Sequence, residues 1–226
     1  MDRAHALRSL CASRLCFILT RGLCRRDPLD VLRAALLGGA DLIQVREKNC
    51  EAEDLLDWVQ VVKRHTEAAG VALIVNDFAD IALRSGAEGV HVGAADASPE
   101  IVRAMPHGER LLLGVSCHSR ADVQQMDPRA DYEGLGALFD TTTRLATTPC
   151  PLCDVAISSA PNQRPIFGIG GLNRDTLPLA VAAGLKRAAI SSAIANAEDP
   201  AQMTRTLRNM LAPHGGADTP PSSKAP

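Results

Sequence analysis

The sequence predicts a single (β/α)8 barrel of the TIM type, and three observations carry that expectation. From residue 15 onward, short apolar runs alternate with helix-like segments eight times over, the rhythm of a parallel sheet closed on itself. The length of 226 residues suits one such barrel. The chain is 46% hydrophobic but only 3% aromatic, so Val, Ile, Leu and Ala must build the core, as they do in strands covered by helices.

Taken in order, Leu15 to Thr20 reads as the first strand and Pro28 to Leu37 as the helix after it. Asp27 is placed to cap that helix with Pro28 at its first position, and Gly38-Gly39 ends it. Leu42 to Arg46 is the second strand. The long helix from Glu51 to Ala69 opens with acidic residues and closes near Lys63, Arg64 and His65, as the helix dipole prefers. Its Trp58, the chain's one tryptophan, is expected to serve packing. Val71 to Val75 is the third strand, ending at Asn76-Asp77, with a short helix to Ser85. Val90-His91-Val92 is the fourth, and its helix starts at Ser98-Pro99. Leu111 to Val115 is the fifth, followed by Ser116 to Ser119 and a helix from Arg120 to Gln125. Asp131 to Gly136 is the sixth. Residues 140 to 163 are the least regular part. Pro165 to Gly168 and Ala188 to Ser191 are the last two strands, followed by helices at Asp175 to Ala183 and Pro200 to Leu211. Residues 1–14 are read as an N-terminal extension, 15–211 as the barrel, and the Pro-, Gly- and Ser-rich 212–226 as a disordered tail.

Composition narrows the function classes. A formal charge of -2 provides no field for nucleic acid or an anionic membrane, so small molecules are the expected partners. No apolar run approaches the roughly 18 residues that span a bilayer. Met1 to Arg26 carries six arginines against Asp2, a composition compatible with a transit peptide. Leu15 to Thr20 reads better as a core strand, and a cytoplasmic location is expected. Seven scattered cysteines are the usage of reduced core residues, and Cys150-Pro151-Leu152-Cys153 is a lone CxxC without a second pair.

The chemistry is expected at the C-terminal ends of the strands. Alternation sends Gln44, Arg46 and Lys48 to one side of the second strand and Val45 and Glu47 to the other. Two cations aimed into a barrel mouth call for an anion such as a diphosphate. Asn76, Asp77, Asp96, Ser116 and His118 follow the third, fourth and fifth strands. Two carboxylates beside those cations suggest Mg2+ bridging to phosphate oxygens. Thr141, Thr142, Thr143 and Arg144 follow the sixth strand, while Gly170, Gly171, Ser191 and Ser192 follow the last two, where barrels often hold a phosphate through backbone N–H groups. Two anion sites and one hard cation are the pattern of a transferase. Each piece also has a purely structural reading: Asp77 as a helix cap, Ser116 and the threonines as loop polarity, His91 as a satisfied core histidine.

Together these segments resemble the thiamine-phosphate synthase (thiamine-phosphate pyrophosphorylase) family. The resemblance rests on Gln44 to Lys48, Val75-Asn76-Asp77, Gly89 to Gly93 with Asp96, Gly114 to Ser119, Ala130 to Gly136 with Thr141 and Thr143, Gly168 to Gly171, and Ser192-Ala193-Ile194, in family order from about residue 15 to 211. It implies a Mg2+-assisted transferase that joins 4-amino-2-methyl-5-diphosphomethylpyrimidine to a thiazole phosphate, in plain or carboxylated form, releasing diphosphate. By the same resemblance, Gln44, Arg46, Lys48, Asn76, Ser116 and Arg144 would bind the pyrimidine diphosphate. Arg46, Lys48 and Ser116 would act in catalysis, and Asp77 and Asp96 would hold the metal. Thr141 to Thr143, Gly171, Ser191 and Ser192 would hold the thiazole phosphate. The sequence departs from the family at Arg144, which stands where lysine is usual, at Ala94 and Ala95 in place of Gln-Glu, at Ala137 in place of proline, and across Leu145 to Arg164. The alternatives are a thiazole tautomerase using His118 as proton shuttle, and a non-catalytic regulatory protein that binds thiamine intermediates.

Overall fold

The structure, a computed structural model, describes residues 2–140, 149–155 and 164–211, with the backbone alone at Cys153. Eight strands close into a barrel in sequence order: β1 (Leu15–Leu19), β2 (Leu42–Val45), β3 (Ala72–Asn76), β4 (Gly89–Val92), β5 (Leu112–Cys117), β6 (Tyr132–Gly136), β7 (Ile166–Ile169) and β8 (Ala188–Ile190). Every pairing is parallel. The helices are α1 (Arg3–Ala12), α2 (Pro28–Leu37), α3 (Ala52–Ala68), α4 (Ala79–Ser85), α5 (Pro99–Ala104), α6 (Arg120–Gln124), α7 (Leu152–Val155), α8 (Leu177–Ala182), α9 (Ser192–Ala195) and α10 (Pro200–Met210). No helix among the described residues is long and apolar enough to cross a membrane.

Strand alternation divides the core in two. Phe17, Ile43, Leu73, Val90, Leu113 and Leu135 face outward beneath the helices. Cys16, Ile18, Leu42, Ile74, Leu112, Tyr132 and Phe167 face the barrel axis. The inner cluster is closed from below by α1, whose Ala6 and Leu10 are buried within it. The N-terminal extension is therefore a helix that seals the floor. Asp2 starts it by accepting the His5 N–H at 2.8 Å.

Three acids at the same end tie odd strands to even ones. Asp41, just before β2, accepts the N–H groups of Arg14 and Leu15, Glu88 accepts that of Leu73, and Asp131 that of Leu113. Each is matched by a cation: Arg208, Lys63, and Arg103 with Arg3. These pairs satisfy strand-start donors that have no ladder partner.

The expected caps are made, Asp27 accepting from Leu29 and Asp30 and Ser98 from Ile101. The differences from expectation are local. β5 runs two residues past Val115, because Ser116 and Cys117 still pair with Gly134 and Leu135. The helix expected from Asp175 begins at Leu177, since the Asn173 side chain accepts the Asp175 and Thr176 N–H groups and forms a turn there. Two short helices, α7 and α9, were not anticipated.

Candidate active site

The C-terminal ends of the strands open into one cavity. Gln44, Arg46, Lys48, Asn76, Asp77, Asp96, Ser116, Gly171, Ser191 and Ser192 all line it, so the site residues expected from β2, β3, β4, β5, β7 and β8 converge. Thr141, Thr142, Thr143 and Arg144 lie outside the described residues.

β2 sets the cationic side. Gln44 is buried and points inward. The Arg46 N–H donates to the Leu19 carbonyl at 2.9 Å, and the Thr20 hydroxyl donates to the Arg46 carbonyl at 2.8 Å, which carries the β1–β2 pairing past the last strand residue. Lys48 Nζ lies 3.6 Å from an Asp77 oxygen.

Asp77 holds a left-handed backbone with φ of 68°, a conformation that aspartate tolerates better than most residues and that concentrates at functional sites. Its N–H still donates to the His91 carbonyl at 2.8 Å. Burial raises the Asp77 carboxyl above its usual range. The hydrogen bond and negative charge of Asp96 raise it further, while Lys48 and Arg46 pull it back. Asp96 is oriented by the Gly93 N–H, 2.7 Å from its Oδ2. Two carboxylates thus crowd each other at the foot of two cations. Among the described residues there is no group of three or more His, Cys, Asp or Glu placed to hold a metal.

Below them runs a polar chain that sequence reasoning missed. His91 Nε2 meets Ser116 Oγ at 3.1 Å and Nδ1 meets the Tyr132 hydroxyl at 3.3 Å. Burial pushes the Tyr132 ionisation far up, with the neighbouring Gln44 side chain pulling the other way. Burial lowers the His91 pKa to about 4 against a partial counter-pull from Asp96, so the imidazole is neutral near pH 7. His91 is a buried, satisfied histidine as expected from its apolar strand, yet its ring also forms the cavity wall. Room for it comes from glycine: a Cβ on Gly114 would collide with the Tyr132 ring and with His91 Nδ1. Gly-x-Gly at 134 and 136, inward by period two, was the available signal.

On the far side Gly170 and Gly171 take positive φ of 93° and 65°. A Cβ on Gly170 would strike Ala137, and one on Gly171 would strike the Asp140 carbonyl oxygen, so the loops after β6 and β7 meet backbone to backbone. The Ser191 hydroxyl donates to the Ile18 carbonyl at 2.9 Å, which commits its proton to the barrel wall. His118 donates from Nδ1 to the Gly136 carbonyl at 2.6 Å.

Residues 15–194 match the family model described as thiamine monophosphate synthase. The chain is 40% identical over 177 residues to the thiamine-phosphate synthase of Gloeobacter violaceus, a match that covers 78% of this chain and 52% of that protein. It therefore spans about half the length of that relative. The thiamine-phosphate synthase of a Roseiflexus species is 39% identical over 188 residues, covering 81% of this chain and 78% of its own. Among solved structures, the thiamine phosphate pyrophosphorylase of Pyrococcus furiosus superposes with a TM-score of 0.78 at 28% identity, covering 91% of this chain and 96% of that one. The chain belongs to the thiamine monophosphate synthase family.

Proposed function

We propose that the cavity joins a pyrimidine carrying a diphosphomethyl arm to a thiazole phosphate, yielding thiamine phosphate and free diphosphate. The single observation that carries this reading is that one cavity sets Arg46 and Lys48 beside the crowded pair Asp77 and Asp96, with Gly171 and Ser192 lining another part of its wall. Family membership supports it.

The bond from the pyrimidine methylene to the diphosphate oxygen breaks, and its electron pair leaves with the diphosphate. The methylene carbon, its developing positive charge delocalised into the aminopyrimidine ring, is attacked by the lone pair of the thiazole nitrogen, and a C–N bond forms. Arg46 and Lys48 stabilise charge growing on the departing oxygens, the electrostatic contribution that is usually largest. Ser116, held by neutral His91, presents a hydroxyl to the diphosphate or the pyrimidine. Gly171, the Ser191 and Ser192 backbone, the Ser192 hydroxyl and Thr141 to Thr143 hold the thiazole phosphate; Arg144 adds a cation to the diphosphate side. No enzyme nucleophile is needed, and positioning two substrates supplies much of the remaining acceleration.

The carboxylate pair fits Mg2+. A divalent cation relieves the repulsion that lifts the Asp77 pKa, and Mg2+ takes one or two carboxylates together with substrate oxygens. Asp77 and Asp96 would hold it, and when bound it neutralises charge on the diphosphate. A thiazole tautomerase has no use for that pair, which favours the synthase. Purified protein is tested with both substrates, with and without Mg2+: release of diphosphate and thiamine phosphate only in the complete mixture supports the proposal, and no product with both substrates and Mg2+ refutes it.

A further inference from the structure

The segment that carries Arg46 and Lys48 is held from outside the cavity by a residue on the neighbouring loop. Arg21 follows β1 in a single 3-10 turn, Arg21–Leu23. Its backbone N–H donates to Glu47 Oε1 at 2.8 Å, and its side-chain Nε reaches the same oxygen at 3.3 Å. Nη2 lies 3.1 Å from the Cys50 sulfur. The guanidinium stacks over the Trp58 indole of α3, 5.3 Å from the ring centroid. One planar cation therefore touches residues 47, 50 and 58, spanning the whole turn from β2 into α3. This is the geometry a guanidinium makes well and an ammonium does not.

Glu47 is the one carboxylate inside the cationic segment Arg46 to Lys48. Alternation turns it away from the cavity, where its side chain is only 11% exposed. A carboxylate so placed requires a partner, because leaving it buried and unpaired is costly. Without the Arg21 guanidinium it would keep the backbone N–H of residue 21 but lose its charged partner. Adjacent in sequence to the two cations that face the cavity, its negative charge would then compete with a bound anion for them.

We infer that Arg21 is a positioning residue for the diphosphate side of the site, acting through Glu47: it fixes the turn that presents Arg46 and Lys48 and keeps the Glu47 carboxylate out of the cavity. The inference rests on the reading of Arg46 and Lys48 as diphosphate-binding. The side-chain partners described for Arg21, Glu47, Cys50 and Trp58, do not line the cavity, and its side chain is 37% exposed, so its removal should leave the barrel folded.

The test uses the full chain with Mg2+ present and inorganic diphosphate as the probe. Calorimetry should show Arg21→Ala weakening diphosphate binding about tenfold, with the KM for the pyrimidine diphosphate rising by a similar factor. The KM for the thiazole phosphate and the melting temperature should stay near wild type, since the residues proposed for that phosphate follow β6, β7 and β8. Arg21→Lys should fall between, keeping the charge and losing the fork. In a Glu47→Ala background, Arg21→Ala should change diphosphate affinity by less than about threefold, because the contact is already gone. Unchanged diphosphate affinity in Arg21→Ala, or an undiminished tenfold loss in the Glu47→Ala background, overturns the inference. Equal rises in both KM values also overturn it, since they mark a general loss of structure. A wild-type protein that binds diphosphate but forms no product refutes the synthase reading and leaves Arg21 to be judged on affinity alone. One that binds no diphosphate refutes both.

Discussion

His91 Nε2 and Ser116 Oγ stand 3.1 Å apart on adjacent strands β4 and β5, and the imidazole that joins them is uncharged near neutral pH. A neutral ring has one donor and one acceptor nitrogen, so it can receive a proton from one hydroxyl only by giving one to the other. The Tyr132 and Ser116 hydroxyls are therefore coupled through the ring: if one donates to it, the other accepts from it. Tyr132→Phe should cost about 1–2 kcal/mol of stability, the usual penalty for a buried group left unsatisfied. It should also lower turnover while leaving the KM for the thiazole phosphate unchanged. Chemical denaturation and steady-state kinetics check the two parts.

The crowding of Asp77 and Asp96 makes a second expectation. Asp96→Ala removes one carboxylate from the pair and should lower Mg2+-dependent product formation on the order of a hundredfold, with the barrel still folded. Circular dichroism confirms the fold, and near-normal turnover would contradict the metal assignment.

Ser192 opens the turn after β8 and lines the cavity. An aspartate there meets a phosphate dianion with like charge. Ser192→Asp should raise the KM for the thiazole phosphate at least about tenfold while barely altering that for the pyrimidine diphosphate. A thiazole KM that does not move would exclude this pocket.

Glu133 is a fully buried carboxylate on β6, and its two oxygens have no hydrogen-bond partner among the described residues. Burial raises its pKa from 4.5 to about 7, partly opposed by Arg164 and by the Cys117 thiol. The native state thus holds more protons than the unfolded chain between about pH 4.5 and 7, so this residue makes stability fall as pH rises through that window. Glu133→Gln should exceed wild type in stability by on the order of 3 kcal/mol more above pH 7 than below pH 4.5. Denaturant titrations across pH decide it, and parallel profiles would rule it out.

Leu10 of α1 is fully buried in the inner cluster. Leu10→Ala should cost about 2–4 kcal/mol, a cavity penalty, without changing either KM. Thermal melting and kinetics test this, and a loss below about 1 kcal/mol would mean the helix merely rests on the barrel.

Much of this could be read from the order of residues because period and punctuation act locally. Strands such as Leu42–Val45 and Ala72–Asn76 are short, bounded and apolar, and the residues that follow them must emerge at one rim. What escaped depends on register. The meeting of His91 with Tyr132 requires that Gly114 pair with both His91 and Tyr132, which no single segment reveals. Helix α1 escaped for another reason: it buries only Ala6 and Leu10, a stripe too narrow to stand out among arginines and serines. Thr141 to Thr143, read as half of the thiazole pocket, and Arg144, read with the diphosphate, fall outside the described residues.

With α1 stopping the lower end of the barrel, traffic through it is one-way in and the same way out. A ring that reached Phe167 and Ile18 would be walled in by whatever settled nearer the rim, and could leave only after it. Two guests stacked in such a dead end would be ordered by it, the deeper one first in and last out.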